Sequence, residues 1–257
     1  MKNRSFPIRA LVAPLAASIA IAIPAVAQDG AAPAAPAAPA QAPAPAPAPA
    51  AAGVVFVKIS TSKGDMLLEL DAVKAPISVD NFMKYVKGGF YDGTVVHRIV
   101  PGFVVQGGGF DQAMVQKQTN PAIKNEWKNG LKNARGTISM ARLPSPDTAT
   151  SQFFLNLKDN PALDGANGPG YAVFGKIVVG LDVLDAMGAA PTASKEVTDQ
   201  AGRKQVFSDV PVEAIVMTKA VELDAASAAS MIEAAKAKPA APAAPAAPAG
   251  DMPAQPK

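Results

Sequence analysis

The chain has 257 residues, with no cysteine, one histidine (His97) and one tryptophan (Trp127). Without cysteine there can be no disulfide, no thiol redox chemistry and no thiolate-bound zinc. A single histidine also leaves the usual transition-metal sites short of donors. No G-x-S-x-G elbow is present, so a serine–histidine–acid triad has no evident nucleophile. The glycines at 107–109 lack the following helix and Lys-Ser/Thr pair of a phosphate loop; a tight turn and close backbone approach at a strand end are expected there. Carboxylates do not pair at a glycosidase-like spacing, because Asp147, Asp159 and Asp164 sit among turn residues. No repeat of 20–50 residues marks a solenoid. Excess charge is lacking too. Of 24 basic and 21 acidic residues, Lys2, Arg4 and Arg9 fall in the first 27 positions, leaving 21 against 21. Such a balance gives no reason to expect nucleic acid or anionic lipid as the main partner.

Proline is what the chain has in quantity, 25 residues of it, largely in two alanine–proline tracts. Residues 28–52 and the end of the chain lack the large apolar side chains that offset ordering entropy, and are expected to be disordered, extended spacers. Ahead of the first tract, three cations, an apolar run and "AVA" before Gln28 form a cleavable export signal over 1–27. No cysteine follows for lipid anchoring and no twin arginine precedes, so export in an unfolded state, without stable membrane insertion after cleavage, is expected. The remaining segment, 53–221, is the size of one domain, and 222–257 is a tail. Within the tail, 223–238 is rich in alanine and reads equally as a short helix or a polar spacer.

Across 53–221 the pattern is mostly strand. Apolar or β-branched runs at 54–61 and 65–71 flank "SKG", and further runs fall at 94–100, 103–107, 136–141, 151–157, 171–179 and 212–218. Val79, Phe82, Met83 and Val86 recur at helical spacing behind Ser78, the expected N-cap; a second helix fits 181–187. About eight strands and two helices point to an all-β fold, a closed eight-stranded antiparallel barrel capped by two helices.

Within this pattern Arg98, Phe103, Gln106, Met140, Gln152, Phe154 and Leu163 offer apolar walls, one cation and two amides, a set suited to a peptide. The same residues also suit a barrel core with a surface ion pair. His97, mid-strand, reads as structural, on the face opposite Arg98.

The segments "VHRIVPGFVVQGG" (96–108), "SMA" (139–141), "SQFF" (151–154) and "LDG…YAVFGKIVVG" (163–180) resemble the signatures of cyclophilins, in particular those secreted to the Gram-negative periplasm. The resemblance is collinear over 54–219. It implies the eight-stranded barrel and peptidyl-prolyl cis–trans isomerisation, with X–Pro segments of folding polypeptides as partners, no cofactor or metal, and a monomeric state. It assigns catalysis to Arg98, helped by Gln106. Phe103, Met140, Phe154 and Leu163 become the proline pocket with Val104 at its rim, while Gln152, Ala141 and Arg142 hold the peptide and Tyr171 supplies an aromatic wall. Ala162 stands where many members carry tryptophan, which implies weak cyclosporin binding. A reading from another class is a proline-peptide-binding module or holdase with little catalysis.

Overall fold

The computed structural model describes residues 53–166 and 168–237; the expected export signal, the first alanine–proline tract and the end of the tail lie outside them. Antiparallel strands β1 (Val54–Thr61) and β2 (Gly64–Asp71) open the fold, followed by helix α1 (Pro76–Lys87). Strands β3 (Val95–Val100), β4 (Val104–Phe110), β5 (Thr137–Met140), β6 (Phe153–Asn156) and β7 (Val173–Val179) come next, with a 3-10 turn at Pro161–Asp164. Helix α2 (Leu181–Gly188), a hairpin of β8 (Thr192–Thr198) and β9 (Lys204–Pro211), β10 (Met217–Leu223) and α3 (Ala225–Ala237) complete the order. Eight strands form one antiparallel sheet in the order β10-β1-β2-β7-β5-β6-β4-β3, and β8 and β9 form a separate two-stranded sheet, with an isolated bridge from Thr198 to Val115.

The sheet curls until its two end strands approach. They meet through an isolated bridge, Val95 opposite Val216, and backbone bonds Val96 N to Ile215 O and Met217 N to Thr94 O, rather than through a ladder. The architecture is therefore a curled half-barrel with a short seam, where a continuous closed barrel was expected. Inside the curl, Phe82 of α1 packs 5.1 Å from Tyr91, 5.6 Å from Phe153 and 5.3 Å from Phe174 between ring centroids. Val79, Phe82, Met83 and Val86 are all buried. Burial of each such side chain stabilises the fold by roughly 1.5–3 kcal/mol, which is why a short helix is stable here.

Two sequence expectations need correction. Ser78 is not the cap of α1, because Pro76, with its fixed φ, already starts the helix. The first turn is capped from 48 residues away: Ile77 N donates to Glu126 Oε1 (3.0 Å), and Ser78 N and Oγ both donate to Glu126 Oε2 (2.7 Å each). The glycines at 107–109 do not end a strand but lie inside β4, at a bulge where Val95 pairs with Phe110 and Val96 with Gly107. Of the two readings left open for 223–238, the short helix is the one observed, as α3. Asp224 caps α3 by accepting from Ser227 N and Oγ, and Ala228 is fully buried, with α3 against β7.

Candidate functional site

Strand register builds the site. Arg98 on β3 lies opposite Gln106 on β4, and Gln106 lies opposite Phe154 on β6, which in turn faces Ser139 on β5. Directly opposed residues in antiparallel strands project to the same face with Cβ atoms about 5 Å apart. A cation, an amide and an aromatic ring therefore form one row across three strands, on the outer face. Gln106 Nε2 donates to Gln152 Oε1 at 3.1 Å, and Gln152 O accepts from Ala141 N at 2.9 Å, so the row continues to the 141–150 loop.

Arg98, Gln106, Ala141, Arg142 and Gln152 line one groove of about 620 Å³. The apolar candidates do not line it; Phe154, 5% exposed, continues the row beyond Gln106. Phe154 meets Tyr171 edge-on, 5.5 Å between centroids, and Tyr171 N donates to Leu163 O at 2.9 Å. Phe103 is half-buried, its carbonyl accepting from Leu157 N (3.0 Å) and Asn160 Nδ2 (3.1 Å). Val104 is 3% exposed, so it is buried in the sheet and not at a rim. A buried network fixes the turn carrying Leu163. Asn160 Nδ2 donates to Asn156 Oδ1, Ser139 Oγ to Asn133 Oδ1, and Asn133 N and Nδ2 to Asp164 Oδ1. Satisfied networks of this kind hold one geometry, because any broken member leaves a buried polar group unpaired.

Two further assignments change. Met140 belongs to the inner core, 2% exposed and opposite Phe153, because alternation along β5 sends Ser139 outward and Met140 inward. It cannot wall an outer pocket. Arg142 is not a free cation beside the groove. Its guanidinium donates to the carbonyls of Leu143, Pro144, Pro169 and Gly170 and stacks 4.5 Å over Tyr171, fastening one loop to another.

His97 departs from simple alternation, because the β3–β4 register shifts between Val96 and Arg98. It lines the groove with Arg98 yet is only 1% exposed, packed 4.7 Å from Phe110 and 6.2 Å from Phe207 between centroids. Burial, and next the Arg98 charge, lower its pKa from 6.5 to about 4. The folded pKa lies below the unfolded one, so between pH 6.5 and 4 the unfolded chain takes up a proton that the folded chain refuses. Stability is thus fully present above pH 6.5 and is lost as pH falls through this window, by about 3 kcal/mol in all. Urea titrations at pH 7 and 4.5 should show a steeper loss for the wild type than for His97→Gln; equal losses would mean that the histidine titrates normally.

The residues missed from sequence are those of the β8–β9 hairpin. Gln205, Val206, Phe207, Ser208 and Asp209 form the groove's second wall, and Asp209 Oδ2 lies 3.7 Å from Arg98 Nε. Val95, Phe110 and Val197 make a small separate core under this hairpin, with Phe207 packed against it. The segment's polar composition hid it, since both strands are largely exposed.

Comparison with known proteins agrees with this architecture. The family described as "Cyclophilin type peptidyl-prolyl cis-trans isomerase/CLD" matches residues 56–219. "Peptidyl-prolyl cis-trans isomerase A" of Dickeya dadantii is 52% identical over 165 residues, covering 64% of this chain and 82% of that protein. "Peptidyl-prolyl cis-trans isomerase B" of Escherichia coli is 42% identical over 165 residues, covering 63% and 95%. A Cryptosporidium parvum cyclophilin-type isomerase crystallised in the presence of the dipeptide Ala-Pro superposes with a TM-score of 0.53 at 26% identity, over 66% of this chain and 99% of its own. With its curled antiparallel sheet, its outer-face site and a family match over most of the described residues, this chain belongs to the cyclophilin-type peptidyl-prolyl cis–trans isomerases, EC 5.2.1.8.

Proposed function

We propose that the protein is exported and isomerises X–Pro bonds of other exported polypeptides in the periplasm, with Arg98 as the hydrogen-bond donor to the prolyl nitrogen. The observation that carries this reading is the row Arg98–Gln106–Phe154, which sets a permanent cation beside an aromatic surface. The X–Pro amide resists rotation by about 18–20 kcal/mol because its nitrogen lone pair is delocalised. As the bond twists, that lone pair localises on nitrogen and becomes an acceptor. A guanidinium donor then binds the twisted amide more strongly than the planar one, which lowers the barrier without any covalent step. Arginine suits the task because it stays protonated and presents a rigid fork of donors. Phe103, Phe154, Leu163 and Tyr171 supply an apolar surface for the proline ring, where the less polar twisted amide is further favoured. Gln106, Gln152 and the backbone at Ala141 supply polar partners for the peptide.

In this reading residues 1–27 are removed, 28–52 are a spacer, and the protein acts as a monomer that binds cyclosporin weakly, exposed Ala162 offering little surface to it. N-terminal sequencing of the protein from a periplasmic fraction should begin at Gln28. A chain beginning at its first residues and fractionating with membranes would overturn the export part of the proposal.

A further inference from the structure

We propose that Asp209 is a positioning residue for Arg98: held by the β8–β9 hairpin, its carboxylate anchors the guanidinium through Nε and leaves the two Nη groups to face the prolyl amide. This rests on the isomerase reading above and adds to it the group that orients the donor.

Gln106, the neighbour of Arg98 on β4, has its Nε2 donated to Gln152. Among the described residues the ionic partner of Arg98 is Asp209, Oδ2 to Nε 3.7 Å. Attachment at Nε is significant because Nε is the inner corner of the guanidinium. A carboxylate beside it biases the orientation of the plane by charge while the distal N–H groups remain available, and a donor works best when its direction is set before the charge develops.

The position of Asp209 is set from both sides. Phe207 packs against Phe110 at 5.7 Å and His97 at 6.2 Å between centroids, pinning β9 onto the floor of the groove. Val210 pairs with Ala193 and is buried, and Lys195 Nζ donates to Pro211 O and Val212 O. At the far end, Gln116 N donates to Thr198 O and Gln200 Nε2 to Lys117 O, tying the hairpin to the 110–119 segment. The carboxylate is thus mounted on a frame that does not need it. The ion pair itself contributes little to stability, because the two side chains are 39% and 38% exposed and 3.7 Å is long for a hydrogen bond. Removing it should leave the fold intact and expose any effect on catalysis.

The test compares the full chain with Asp209→Ala, Asp209→Glu, Arg98→Ala and the Asp209→Ala/Arg98→Ala double variant. Steady-state isomerisation of an Ala-Pro peptide would give kcat and KM separately, alongside thermal melts. Asp209→Ala should lower kcat roughly fivefold with KM within about twofold, and Asp209→Glu should recover most of the loss. In the Arg98→Ala background, Asp209→Ala should have no further effect, since a residue acting only through another loses its influence when that other is gone. An unchanged kcat, a change in KM alone, a further loss in the double variant, or a fall in kcat matched by a fall in melting temperature would overturn the proposal. Failure of the isomerase reading itself looks different: the wild type would then match the uncatalysed rate.

Discussion

Replacing Arg98 with alanine is expected to lower kcat/KM for X–Pro isomerisation by roughly 10²–10³-fold, the usual cost of deleting one preorganised donor to a developing charge. The loss should fall mainly on kcat. The donor is engaged by the twisted amide, whereas the planar ground state offers its nitrogen no lone pair to bind, so removing it weakens the transition state and leaves substrate affinity nearly intact. Folding should be unaffected, because the Arg98 side chain is 39% exposed and its ion pair with Asp209 is long. The assay is best run cold, where the uncatalysed reaction takes minutes. A variant within threefold of wild type would remove Arg98 from the mechanism. A wild type indistinguishable from the blank, yet still binding proline peptides, would favour the peptide-binding module over the enzyme.

Much of this site was legible because its determinants are local in sequence. Arg98 and Gln106 lie on adjacent strands joined by a short turn, so alternation and a tight hairpin bring them together. Val79, Phe82, Met83 and Val86 announced α1 by spacing alone. What sequence could not give was set by register and by distant partners. Alternation says that Ser139 and Met140 face opposite sides, but which of them faces outward depends on the pairing of β5 with β6. The cap of α1 comes from Glu126, far along the chain, and no local signal in "PISVDN" reports it. Hairpin β8–β9 escaped notice for a related reason. Its buried face is supplied by Val95 and Phe110 of other strands, so its own sequence carries little apolar alternation.

The three glycines of β4 separate stability from catalysis within two adjacent positions. Gly108 has φ +82°, in the left-handed region, and a Cβ there would lie 2.9 Å from both Phe153 Cε1 and Tyr91 Cε1. Both rings belong to the buried core, and Tyr91 is further held by its hydroxyl donating to Ser151 O at 2.8 Å. Gly108→Ala therefore combines backbone strain with overpacking of rings that cannot swing away, and should destabilise the fold by roughly 2–5 kcal/mol. For a domain of this size that is a fall in melting temperature of about 4–20 °C. Gly109 has no left-handed backbone, and its added Cβ would meet Gln152, 2.5 Å from Cγ and 2.7 Å from Nε2. Gln152 is a flexible side chain on the edge of an open groove, so it can yield, at the cost of its bond with Gln106. Gly109→Ala should hence melt within a few degrees of wild type while losing about tenfold in kcat/KM, because small misplacements of binding groups are costly in rate. Thermal melts and the peptide assay on the two variants decide the matter. The reverse order, with position 109 the more destabilising and 108 the more damaging to rate, would mean that the bulge directs its residues differently and that the Gln106–Gln152 pair takes no part in catalysis.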